Sequence, residues 1–227
     1  MTQQLPLLLP HDAAMGADDF LVTPCNSEAA AWIDKWPEWP THGLIVTGLP
    51  GSGKTHLMSL WLQKTGGSVV AADDLIDITP PALMAETKCI ALDNANFFAG
   101  NGLAEKQLFH LFNFVKENKG FLLLTMATGA GQAGFELPDL RSRLLTLPVA
   151  ALLPPDDELL EALIVKQFSD RQVAVDAGVV AYIASRAARD AASIRAIVQR
   201  LDLAALAEGC KITIPLARRI LEKDNDD

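Results

Sequence analysis

The sequence predicts an α/β protein in which a parallel five-stranded sheet flanked by helices is followed by a small all-α unit. Three observations carry this prediction. Five short apolar runs, at 44–46, 68–71, 89–92, 121–125 and 145–153, are continuous rather than alternating, as in parallel strands buried on both faces. Helical patterns lie between the runs, and strand–helix alternation winds a sheet with helices on both sides. Beyond Pro154-Pro155 only helical patterns remain.

Residues 1–17 carry Pro6 and Pro10 and little periodicity, so they read as an extended tail. Residues 18–154 form the α/β unit. Its first strand, 44–46, leads into Gly48-Leu49-Pro50-Gly51-Ser52-Gly53-Lys54-Thr55, and a helix is expected over 55–64. The strand at 89–92 ends on Asp93-Asn94. In the helix expected over 105–118, Leu108, Leu111, Phe112 and Val115 recur at i, i+3, i+4 and i+7, and Gly120 suits its stop. Trp32, Trp36 and Trp39 are expected to cover the sheet edge, Cys89 to lie in the core, and His42 and His110 to be structural or surface residues. Residues 155–227 form the second unit. Asp156 or Asp157 caps a helix to about 168. Further helices are expected over 176–188 and 191–207, the latter ended by Gly209. Pro215 fits the first turn of a fourth, and 224–227 read as a polar fray.

The octapeptide fits G-x-x-x-x-G-K-[ST] at every required position, in the strand–loop–helix setting that the pattern needs. Successive backbone N–H groups and a helix N-terminus then surround a polyphosphate. Lys54 would reach the β- and γ-phosphates, and the Thr55 hydroxyl would meet Mg²⁺. Asp93, at the end of an apolar strand, is the expected second holder of the Mg²⁺ shell. Many such ATPases place a carboxylate next, to orient the attacking water. Here Asn94 stands there, and an amide cannot accept the proton. Intrinsic hydrolysis is therefore expected to be weak or absent unless another carboxylate serves.

The net charge of −9 gives no global attraction to nucleic acid or anionic membrane. From Asp156 onward there are 10 Lys/Arg against 13 Asp/Glu, so no basic reading surface and no sequence-specific DNA binding are expected. No run is apolar enough to span a bilayer. Cys25, Cys89 and Cys210 lack metal-ligand spacing and suit reduced thiols in the cytoplasm.

Several motifs in order resemble the AAA+ relatives of the replication initiator DnaA. The loop from Gly48 with His56 after Thr55 is one. Asp19-Phe20-Leu21-Val22 with Asn26 is similar to the segment that leads into such a domain. Leu137-Pro138-Asp139-Leu140-Arg141-Ser142-Arg143-Leu144 resembles the stretch that carries an arginine finger. Ile194-Arg195 resembles the sensor 2 motif, and Lys211-Ile212-Thr213-Ile214-Pro215 the start of the last lid helix. Within these relatives the chain most resembles the Hda family, the regulatory inactivators of DnaA, in which an Asp-Asn pair also occurs. The resemblance implies an AAA+ P-loop NTPase base with a helical lid, and ADP (or ATP) with Mg²⁺ as cofactors. It implies nucleotide contacts from Leu21, Val22 and Arg195 besides the loop, and Arg143 acting in trans on another molecule's ATP. A surface Arg143 paired to Asp139 is the competing reading, and Arg141 is a nearby decoy. After the fourth strand no charged sensor is present; Thr125 and Thr128 are the candidates.

Gln4-Leu5-Pro6-Leu7-Leu8-Leu9 resembles the clamp-binding motif of proteins that ride on the bacterial sliding clamp. An extended peptide of this kind sets its register through the Gln amide and fills apolar pockets with leucines. The partners implied are therefore the clamp and DnaA, with nucleoid association through the clamp. Self-association into a homodimer is left open. Two other functions compete: a self-sufficient AAA+ ATPase such as a helicase loader, and a nucleotide-binding adaptor with no catalytic role.

Overall fold

In the computed structural model, which describes residues 20–222, β1 (Gly43–Thr47), β2 (Ser68–Val70), β3 (Cys89–Leu92), β4 (Phe121–Met126) and β5 (Val149–Ala151) form one parallel sheet of order β2-β3-β4-β1-β5. The tail expected at 1–17 and the fray at 224–227 lie outside the described residues. Period-two geometry divides each central strand between two cores. Ile45, Ile90, Leu92, Leu122 and Leu124 face Leu108, Leu111 and Phe112 of α5 (Gly102–Glu117). Leu44, Val46, Ala91 and Leu123 face Leu57, Met58 and Trp61 of α2 (Lys54–Thr65) and Ala29 and Ile33 of α1 (Ser27–Asp34). Continuous apolar strands are what such two-sided burial requires.

Two short helices, α3 (Ala72–Asp77) and α4 (Pro80–Leu83), join β2 to β3. They carry too few residues for a legible period. The Asn101 side chain accepts from the N–H groups of Leu103 and Ala104, which starts α5 a turn earlier than its apolar stripe. The last strand is shorter than the run at 145–153. Helix α6 (Pro138–Leu144) occupies the chain just before it, Leu145 is 57% exposed, and Pro148 precedes β5 without an N–H to donate. The tryptophans lie over a face of the sheet, not its edge. Trp39 stacks on Trp61 at 5.6 Å, and Trp36 and Trp39 both meet Phe121 of the central strand β4 edge-on. Cys89 is in this core, and a His42 ring nitrogen lies 2.9 Å from the Gly120 carbonyl oxygen.

The described chain divides after Pro154 into two compact units. The second contains only helices among its described residues: α7 (Asp157–Asp170), α8 (Ala177–Ala184), α9 (Ala191–Glu208) and α10 (Ile214–Glu222). Asp156 caps α7 through the Leu159 N–H, and Asp190 caps α9 through the Ser193 N–H. Leu160, Ile164, Phe168, Ile183, Val198 and Leu201 fill its core. Helix α8 ends at Ala184 rather than at 188, because the chain turns there and Ser185 closes the helix through the Ala181 carbonyl.

Candidate functional site

Strand β1 delivers the Gly-rich loop to the carboxyl edge of the sheet, where α2 begins at Lys54. Neighbouring strands hold the root of the loop: Gly48 N–H donates to the Met126 carbonyl, and Leu152 N–H to that of Thr47. A Cβ on Gly48 would stand 2.5 Å from Ser52 Oγ and 2.9 Å from the Leu152 carbonyl oxygen, so only glycine closes the loop this tightly. Gly53, at φ +98°, takes the left-handed conformation that starts α2 without a Cβ penalty. Leu49, Pro50 and Gly51 are exposed at the mouth.

Lys54 is buried to 7% exposure, and its Nζ donates to the carbonyls of Gly48 at 2.8 Å and Leu49 at 2.9 Å. Burial lowers its pKa, and the Asp93 charge partly offsets that. The buried Ser52 Oγ has no hydrogen-bond partner. A hydroxyl orphaned inside a loop of N–H groups fits a phosphate oxygen, which accepts.

The carboxylate of Asp93 gathers the other strands' contributions. Its Oδ2 accepts from Thr55 Oγ1 at 2.9 Å. Its Oδ1 accepts from the Asn94 N–H at 3.1 Å and from the Thr125 hydroxyl. Thr125, fully buried on β4, accepts in turn from the Asn94 N–H at 2.8 Å. Thr125 thus aligns Asp93. Asn94 sits exposed in the left-handed region at φ 53°, a conformation Asn tolerates, and begins the 3-10 turn Ala95–Phe98. Thr55 and Asp93 fit Mg²⁺, a hard cation that takes one or two protein ligands beside phosphate oxygens and water. Among the described residues no group of three or more His, Cys, Asp or Glu could hold a metal unaided.

The segment before α1 is pinned by Asn26, whose amide donates to the Leu21 carbonyl and whose Oδ1 accepts from the Thr23 N–H. Phe20 meets His56 edge-on at 5.3 Å, which ties this segment to the first turn of α2. Leu21 is half-buried and Val22 is 59% exposed. Arg195 belongs to the other unit and stands exposed on α9, beside buried Ile194. The tail residues Gln4, Leu5, Leu7, Leu8 and Leu9 lie outside the described residues.

Arg143 occupies the last turn of α6. No ion pair joins it to Asp139; its guanidinium lies over the rings of Phe109 at 5.2 Å and Phe112 at 5.9 Å. It borders an open cavity of about 510 Å³ that Lys116, Ser142 and Thr146 also line. Arg141 is exposed.

Glu105 was not foreseen as a site residue. It is 1% exposed, and its carboxylate accepts from the N–H groups of Gly100, Glu136 and Leu137. The signal was present: Glu105 stands three residues before Leu108 and seven before Phe112, a charge on the apolar face of α5. Asn96 was missed as well; its Oδ1 accepts from the Ala127 N–H just past β4.

Residues 156–221 match the family model described as Hda, lid domain. Domain III of the replication initiation protein DnaA from Thermotoga maritima superposes with a TM-score of 0.81 at 18% identity, over 95% of this chain and 98% of that one. AMPPCP-bound DnaA from Aquifex aeolicus gives 0.72 at 18% identity, over 92% of this chain and 69% of that one. The RuvB Holliday junction branch migration motor of Thermotoga maritima gives 0.72 at 17% identity, over 94% and 73%. Among the described residues no helix is long and apolar enough to cross a membrane.

Proposed function

Starting from a DnaA-like AAA+ protein that carries an Hda-family lid, we propose that it is a nucleotide-bound regulator that stimulates hydrolysis of ATP held by DnaA. The observation that carries this reading is Asn94. It follows Asp93 where a water-orienting carboxylate would stand, and an amide is not a base. The chain can hold a nucleotide and a metal without spending the nucleotide.

In this reading Gly48, Gly51, Ser52, Gly53 and Lys54 grip the phosphates of ADP. Leu21 and Val22 flank the nucleotide, and Arg195 serves as the sensor 2 residue. Mg²⁺, held by Thr55 and Asp93, would screen charge on the phosphates. Arg143 is the group offered to a neighbour. Its planar fork of donors suits a γ-phosphate on which charge develops. Gln4, Leu5, Leu7, Leu8 and Leu9 dock in the sliding clamp. Tethering there raises the local concentration, so a weak contact between AAA+ modules suffices. The same tether places the protein on the nucleoid of a bacterial cytoplasm, where it represses re-initiation.

The test is single-turnover hydrolysis of labelled ATP preloaded on DnaA, with and without this chain and DNA-loaded clamp. Stimulation that Arg143→Ala abolishes, with the variant folded and clamp-bound, is the expected result. Undiminished stimulation by Arg143→Ala removes it from the role and makes Arg141 the next candidate. Rapid turnover of ATP by the chain alone would instead mark a self-sufficient ATPase.

A further inference from the structure

We propose that α5 sets the direction of the Arg143 guanidinium, with Glu105 and Phe109 as its positioning residues; this rests on the arginine-finger reading above. Residues at i, i+4 and i+7 share one face of a helix. Glu105, Phe109 and Phe112 have that spacing on α5, and together they hold both ends of α6.

At the entry, the Glu105 carboxylate accepts from Glu136 N–H at 3.0 and 3.1 Å and from Leu137 N–H at 2.6 Å. These two residues immediately precede Pro138, where α6 begins. The Gly100 N–H, at 2.7 Å, fixes the same carboxylate from the other side. A buried carboxylate that accepts from main-chain donors on two segments fixes where both lie. Helix α6 needs such an anchor. It is only 7 residues long, with no side-chain cap bond at Leu137, and a helix so short does not hold its own direction.

At the exit, the Phe109 and Phe112 rings carry Arg143. A ring face attracts the guanidinium through its quadrupole without neutralising it. An acidic partner would fix the side chain equally well but would occupy the donors that a phosphate needs. Among the described residues the Arg143 guanidinium makes no hydrogen bond or ion pair. Its donors therefore remain free while its position is set.

The experiment uses the full-length chain, DNA-loaded clamp and DnaA preloaded with labelled ATP, titrating the chain to a plateau rate. Phe109 is half-buried, and Phe109→Leu keeps an apolar side chain while removing the ring. Its plateau should fall by about twofold to tenfold, from the strength of a partly desolvated cation–ring contact. The half-saturating concentration and the ADP affinity should stay unchanged, and Phe109→Tyr should restore the plateau. Glu105→Gln should show the same split, and Phe109→Leu carries the test if that variant does not fold. A wild-type plateau for Phe109→Leu beside an inactive Arg143→Ala overturns the positioning role alone. Full stimulation by Arg143→Ala overturns the finger and its support together.

Discussion

Replacing Lys54 by Ala should weaken ADP binding roughly 10- to 150-fold, and the starting geometry sets that range. Lys54 Nζ donates to the Gly48 and Leu49 carbonyls at 2.8 and 2.9 Å. Phosphate must draw the ammonium away from neutral acceptors, so the net gain is that of a charge-assisted contact, about 1.5–3 kcal/mol, which converts to that factor in Kd. Of the two residues whose carbonyls are freed in the variant, Leu49 is 61% exposed and Gly48 half-buried, so water can replace the lost donor. The folded state without nucleotide should therefore melt close to wild type, while the upward shift in Tm produced by ADP shrinks with the affinity. The pH dependence has a definite sign. Burial lowers the Lys54 pKa, against the Asp93 charge, and the charged form binds phosphate. Affinity should fall as pH rises through a value below the ordinary lysine range. Calorimetry of Mg-ADP binding across pH checks both statements. Equal Kd for wild type and Lys54→Ala would refute the assignment of Lys54 as the phosphate cation.

Thr125→Val removes the hydroxyl that holds Asp93 and receives the Asn94 N–H; it should cost about 1–3 kcal/mol in denaturant unfolding and reduce the gain in ADP affinity on adding Mg²⁺. Asp190→Ala removes the α9 cap and should cost about 1 kcal/mol. Burial alone would raise the Asp190 pKa, but hydrogen bonds from the Ser193 hydroxyl and from the Ser193 and Ala192 N–H groups outweigh it and hold it low. Its contribution is thus present above the ordinary carboxylate pKa and lost as pH falls through the lowered one, which melts of both proteins between acid and neutral pH would register. Deleting residues 1–10 should abolish capture on immobilised sliding clamp and leave the Tm unchanged; retained capture would place the contact elsewhere.

The sheet was legible because its strands are apolar on both faces, a pattern that survives without knowledge of the partners. The phosphate loop was legible because its spacing is fixed and Gly53 answers to a local backbone need, φ +98°; the Leu152 carbonyl that also demands glycine at 48 was not. The end of the fifth run was not. Leu145 is as apolar as a strand residue, yet α6 claims the chain before it, and only the fold reveals which leucines are covered. Helices α3 and α4 were invisible because neither completes two turns. At the site, Asp93 could be read from its place after a strand. Its alignment by Thr125 could not, since that bond joins residues 32 apart in sequence. As a candidate sensor of phosphate, Thr125 has its hydroxyl already engaged with Asp93. Glu105 shows the opposite failure: its position on an apolar face was readable, but which N–H groups it serves depends on a loop 31 residues away.

The hydrogen bond between Thr55 and Asp93 bears on the order in which small molecules arrive. A divalent ion arriving alone would meet two ligands hydrogen-bonded to each other at 2.9 Å, and it would gain little by shedding the water it holds so firmly. Arriving with the nucleotide, it brings its remaining oxygens along and needs only to separate a hydroxyl from a carboxylate. In the proposed reading the ion would be a passenger of the nucleotide rather than a pillar of the fold. Chelation should strip it from the complex while leaving the sheet and its two cores standing.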